Sequence, residues 1–97
     1  MVIELAIRRG WLCLHLRPAR TAHGWRTAVA GHGVGWPDLF LVKGARAIAA
    51  ELKVGKRKAT PQQLAWLAAL EAAGITTYLW TAPQSWPEIE RVLGEED

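Results

Sequence analysis

The sequence predicts an α/β domain, a mixed four-stranded sheet flanked by helices in the order α-β-β-β-α-β-α. Three observations predict it. Apolar runs of strand length, "WLCLHL", "PDLFLVK", "RAIAAELK" and "ITTYLW", are separated by glycine-, proline- or charge-rich stretches. One longer segment, "TPQQLAWLAALEAAG", carries both a start and a stop signal for a helix. That helix lies between two strand candidates, so it reads as a crossover on one sheet. With 97 residues, the chain is expected to be one domain, residues 1–97.

Taken in order, "VIELAIRR" is a short first helix closed by Gly10. "WLCLHL" reads as a buried strand. Residues 17–36, "RPARTAHGWRTAVAGHGVGW", hold four glycines, a proline and three arginines and read as a long loop. "PDLFLVK" and "RAIAAELK" are two strands around Gly44-Ala45, and "VGKRKA" is a basic loop. Thr60 is the N-cap of the long helix, Pro61 its first residue and Gly74 its end. "ITTYLW" is the fourth strand. "SWPEIERVL" is a final short helix with Ser85 as its cap.

Composition narrows the function. The net charge of +3 hides a division: residues 1–58 carry eleven Lys/Arg against three Asp/Glu, and residues 59–97 one Arg against six. A cationic half suggests a polyanionic partner, with a solvated charged surface as the plainer reading. Most of the six tryptophans are expected to be core or cover. No apolar run is long enough to span a bilayer, and the N-terminal segment lacks the order of a signal peptide. A lone cysteine, Cys13, fits a reducing cytosol. So small a domain gains from forming a dimer.

The hairpin register makes a sharper statement. If Gly44-Ala45 is a two-residue turn of type II′, Lys43 faces Arg46 and every facing pair sums to 89. Asp38 then lies opposite Glu51, and Lys53 points to the same face. Two adjacent carboxylates repel, and a divalent cation removes that penalty. Mg²⁺ takes hard oxygen ligands and needs only one or two carboxylates, and the Leu52 backbone carbonyl offers another oxygen. Lys53 would stand beside the attacking water, to orient it, to help deprotonate it or to stabilise the transition state. The structural alternative is a surface salt bridge between Lys53 and a carboxylate.

The pattern PD, twelve residues, then ELK resembles that of the PD-(D/E)xK nucleases. With "GHGVGWPDLFLV", "AAELKVGKRKATPQQLAWLAALEAAG" and "YLWTAPQSWPEIERVL", the chain from about residue 4 to residue 93 resembles the VRR-NUC domain in its small stand-alone phage and bacterial form. The resemblance implies a restriction-endonuclease-like core and Mg²⁺- or Mn²⁺-dependent hydrolysis of DNA phosphodiesters. It implies Asp38 and Glu51 as metal ligands, Lys53 as catalytic lysine, a site role for Gln63, and Glu4 as a further candidate ligand. It favours four-way or branched DNA, a homodimer, and the cytoplasm of a bacterial or phage-infected cell. A noncatalytic DNA-binding module, or a nuclease subunit that needs a partner, is the alternative.

Other residues have plainer readings. Thr60 and Gln63 form a capping box, while Gln63, Leu67 and Leu70 share the helix face expected to pack on the sheet. Arg17, Arg20, Arg26, Lys56, Arg57 and Lys58 flank the site in sequence and are the candidates for phosphate contacts. His15 reads as a satisfied strand histidine. His23 and His32 lie in the loop without zinc-ligand spacing. Gly31, Gly33 and Gly35 would let backbone come close to DNA or to the site. Cys13 reads as inert. Tyr78, Trp80 and Trp86 are candidates for an apolar dimer patch.

Overall fold

The computed structural model describes residues 1–16, 19–21, 24–26 and 34–94, with backbone alone for 19–21 and 24–26. Its elements are α1 (Val2–Arg8), β1 (Leu12–His15), β2 (Ala19–Thr21), β3 (Gly24–Arg26), β4 (Leu39–Lys43), β5 (Arg46–Val54), α2 (Pro61–Ala72), β6 (Thr76–Ala82) and α3 (Trp86–Gly94). The sheet order is β1-β4-β5-β6. The first two pairings are antiparallel and β5–β6 is parallel, as a helix crossover requires. The mixed four-stranded sheet with flanking helices is therefore the fold the sequence predicts.

The hairpin register matches the expected one. Lys43 pairs with Arg46, and the ladder runs to Leu39 opposite Ala50. Gly44 has φ +58, and no described residue other than glycine has positive φ, so Ala45 turns with the negative φ that type II′ needs.

Alternation along β5 divides the molecule. Ile48 and Ala50, with Leu39 and Leu41, face α1 and α3 and form the main core with Ala6, Trp11, Trp80, Ile89, Val92 and Leu93. Ile89, Val92 and Leu93 are the buried stripe of α3. The Trp11 indole N–H donates to the Leu93 carbonyl at 2.9 Å and ties α3 to the segment that opens the first strand. The opposite sheet face carries α2, which packs on β5 and β6 through Leu67. Trp11 and Trp80 are buried, and Trp36, Trp66 and Trp86 are half-buried, as expected of core and cover.

Three expectations change. The strand "WLCLHL" is not buried throughout: β1 is an edge strand, and Leu12 and Leu14 are 77% and 53% exposed. The reason is coverage, because α1 packs on one face of β1 while α2 lies over β5 and β6 at the far side of the sheet. The stretch 17–36 is not all loop, since β2 and β3 pair antiparallel within it, with Arg20 opposite Trp25. Three-residue strands leave too few positions for an alternating pattern to show. Finally, Tyr78, Trp80 and Trp86 are not an open patch. Trp80 is 1% exposed, Tyr78 stacks on it at 5.0 Å, and Trp86 packs on the same core.

Candidate active site

Asp38 stands immediately before β4, and Glu51 and Lys53 lie near the end of β5. Local structure fixes Asp38 from the N-terminal side. Gly35 has φ +91, and a Cβ there would lie 2.6 Å from the Gln62 carbonyl carbon, so only glycine lets this turn rest on the start of α2. Trp36 then meets Trp66 of α2 edge-on at 4.9 Å and leans on Phe40 of β4 at 6.1 Å. Pro37 is fully buried. These contacts aim Asp38 at the neighbouring strand.

There Asp38 Oδ2 accepts a 2.9 Å hydrogen bond from the Leu52 backbone N–H. Glu51 is 1% exposed, and its Oε2 lies 3.5 Å from Lys53 Nζ, itself only 12% exposed. The salt bridge between Lys53 and a carboxylate is thus present, but it is buried, not at the surface. A buried pair carries a desolvation penalty that its mutual attraction offsets only partly. Glu51 Oε1 is buried and receives no hydrogen bond among the described residues. Burial first, then the Asp38 charge and a carboxyl–carboxyl hydrogen bond with Asp38, push Glu51 up to about 7; Lys53 pulls it down by less.

This is an unfavourable arrangement for stability alone. A bare oxygen beside a neighbouring carboxylate suits a hard divalent cation, for which the Asp38 and Glu51 carboxylates and the Leu52 backbone carbonyl are the candidate donors. Among the described residues, no three His, Cys, Asp or Glu side chains gather as a metal-binding group. Glu4 is accordingly an exposed residue of α1 that does not complete a triad with the pair.

Gln63 makes both capping-box bonds. Its backbone N–H donates to Thr60 Oγ1 at 3.2 Å, and its side-chain Oε1 accepts from the Thr60 N–H at 2.8 Å. The side chain is thus engaged in holding the start of α2, the turn on which Gly35 rests. Gly35 makes its close approach to the start of that helix. Ser85 sits ahead of α3, and its hydroxyl accepts from the Thr81 N–H, which ties the helix start back to β6. Burial pushes the Cys13 thiol up, away from reactivity.

Lys56, Arg57 and Lys58 are exposed on the loop that leaves β5 just beyond Lys53. Arg17, the side chains of Arg20 and Arg26, and His23, His32, Gly31 and Gly33 lie outside the described residues. The Leu52 amide, which orients Asp38, is a backbone group and escapes a reading of side chains. Its signal lies in the register, which sets Asp38 beside the Glu51–Leu52 peptide. No family model matches the chain, and no curated protein or solved structure matches it.

Proposed function

We propose that the protein is a Mg²⁺- or Mn²⁺-dependent DNA endonuclease selective for four-way or otherwise branched DNA, acting as a homodimer. The observation that carries this reading is the convergence of Asp38, Glu51 and Lys53 at one end of a hairpin, with Glu51 Oε1 buried and bare. Ionisable groups perturbed by burial and by one specific charged partner mark a candidate functional site.

Water attacks phosphorus, the P–O3′ bond breaks, and the ends are a 5′-phosphate and a 3′-hydroxyl. Asp38, Glu51 and the Leu52 carbonyl would hold a divalent cation, which would neutralise the carboxylates and polarise the phosphoryl group. The chain does the rest. The Leu52 N–H fixes the direction of the Asp38 carboxylate, and Lys53, held against Glu51, presents a positive charge where negative charge develops on the phosphate. Lys56, Arg57 and Lys58 hold the flanking backbone.

The test is cleavage of linear, flapped and four-way DNA with Mg²⁺ or Mn²⁺, against EDTA and a Lys53→Ala control. Metal-dependent cutting of branched DNA, lost in Lys53→Ala, is expected. DNA binding that survives EDTA with no cutting in any metal would leave a noncatalytic binding module, or a subunit awaiting a partner, as the better reading. Light scattering on the same preparation is expected to give twice the chain mass, since two symmetric sites make paired incisions.

A further inference from the structure

β6 is an edge strand, paired on one side with β5 and on the other with no described strand. Along such a strand the backbone groups of successive residues turn to opposite sides. The Ala82 carbonyl accepts from the Gly55 N–H and so turns toward the end of β5. Both groups of Thr81 turn outward: its N–H donates to Ser85 Oγ, and its carbonyl accepts from the Ser85 N–H. By the same alternation Leu79 and Thr77 turn outward, and nothing among the described residues meets their N–H and C=O groups there. This free stretch is bounded by Ser85 at one end and by Ile75 at the other, whose N–H donates to the Leu70 carbonyl. We infer that this edge receives the same edge of a second copy of the chain, antiparallel, with Tyr78 on the two-fold axis. The inference rests on the homodimer of the reading above and names the surface that makes it.

The register follows from which groups are free. In an antiparallel pair, facing residues that exchange two hydrogen bonds alternate with facing residues that exchange none. Thr77 opposite the partner's Leu79, and Leu79 opposite the partner's Thr77, close four bonds and use every free group. A slip of two residues either way sets Thr77 or Leu79 against Thr81 or Ile75, whose N–H groups are already bonded. The strand Thr76–Ala82 also holds no charge and no proline, the devices that keep sheet edges apart, and Leu79 is 44% exposed. α2 supplies the second layer. It packs on β5 and β6, yet Leu67 alone is buried, while Leu64, Ala65, Ala68 and Ala72 are exposed and Glu71 is the helix's one charge. A helix apolar on every side is one covered on more than one. The two-fold axis is perpendicular to the sheet, so both copies of α2 lie on the same face. They stand about two strand spacings apart, roughly 10 Å, the distance at which helices pack. Both sites share that face. Glu51 pairs with Leu79, one residue from the axis, which sets the two glutamates roughly 16 Å apart, within reach of one DNA.

Oxidative crosslinking tests the register. In a Cys13→Ala background, Tyr78→Cys faces its own copy across a pair without hydrogen bonds, with Cα atoms about 4.5 Å apart, inside the range of a disulfide. Thr76→Cys, at an exposed position of the same strand, stands roughly 14 Å from its copy and is the control. Tyr78→Cys is expected to give a dimer on a non-reducing gel and Thr76→Cys to stay monomeric. Leu79→Pro removes an outward N–H and no bond to β5, so it is expected to fold and to lower the mass seen by light scattering from two chains to one. If Leu79→Pro fails to fold, the two cysteine variants decide. A wild type of single-chain mass, or Thr76→Cys crosslinking as readily as Tyr78→Cys, overturns the inference. A folded Leu79→Pro that stays dimeric also overturns it and leaves the homodimer to another surface. A dimer crosslinked at Tyr78→Cys that cuts no DNA with Mg²⁺ or Mn²⁺ overturns the nuclease reading and leaves the interface standing.

Discussion

Glu51 bears a large electrostatic cost in this fold, and its cost has a sign that can be measured. Its ordinary value is 4.5 and its folded value about 7, so the fold favours the protonated carboxyl. The stabilising contribution is complete below about pH 4.5 and is lost as pH rises through about 7. Without metal, stability is expected to fall by something on the order of 3 kcal/mol across that window. Urea unfolding in EDTA at several pH values measures it, and Glu51→Gln should flatten the slope and be the more stable protein at pH 8. Adding Mg²⁺ at pH 8 should raise the melting temperature of wild type by mass action and leave Glu51→Gln unmoved. For activity, Asp38→Ala, Glu51→Ala and Lys53→Ala are each expected to lower cleavage at least about 100-fold with circular dichroism unchanged. Wild-type rates in any of the three would remove that residue from the chemistry.

The elements around Asp38 depend on one close approach. Gly35 combines φ +91 with backbone of Gln62 at 2.6 Å from a built Cβ, whereas Gly74 has φ +94 and open space around it. Gly74→Ala therefore bears only the left-handed strain, about 1 kcal/mol, while Gly35→Ala must also shift α2 and should cost about 3 kcal/mol or more. Denaturant midpoints of the two variants separate these effects, and equal losses would mean that α2 yields freely. The same two glycines mark how far local sequence reaches. Thr60, Pro61, Gln63 and Gly74 specify α2 locally, and Gly44 sets the hairpin register, so both are legible from neighbouring residues. That register brings Asp38, Glu51 and Lys53 together from spacing alone. The Gly35–Gln62 approach, the covering of Trp80 by α3 and the bare outer face of β1 are not legible in that way. They join segments far apart in the chain, where no local spacing reports which face will be covered.

Across the whole molecule, charge is divided along the chain, and the fold keeps a cationic loop near the site. Lys56, Arg57 and Lys58 are exposed beyond the end of β5, while Glu88 and Glu90 lie exposed on α3 and Arg91 of that helix sits 3.9 Å from Glu88. Such an exposed pair adds little stability, so α3 is a solvated face, unsuited to a polyanion. Backbone binding by the basic loop should be blind to sequence and sensitive to salt. Replacing Lys56, Arg57 and Lys58 together by glutamine should weaken binding to every DNA alike. The slope of log affinity against log salt should become shallower by roughly one for each phosphate no longer neutralised. Fluorescence anisotropy on duplex and flapped DNA between low and moderate salt, in EDTA, measures both quantities in one titration series. An unchanged slope in the triple variant would show that the loop faces away from the DNA and would shift the phosphate binding to Arg17, Arg20 and Arg26.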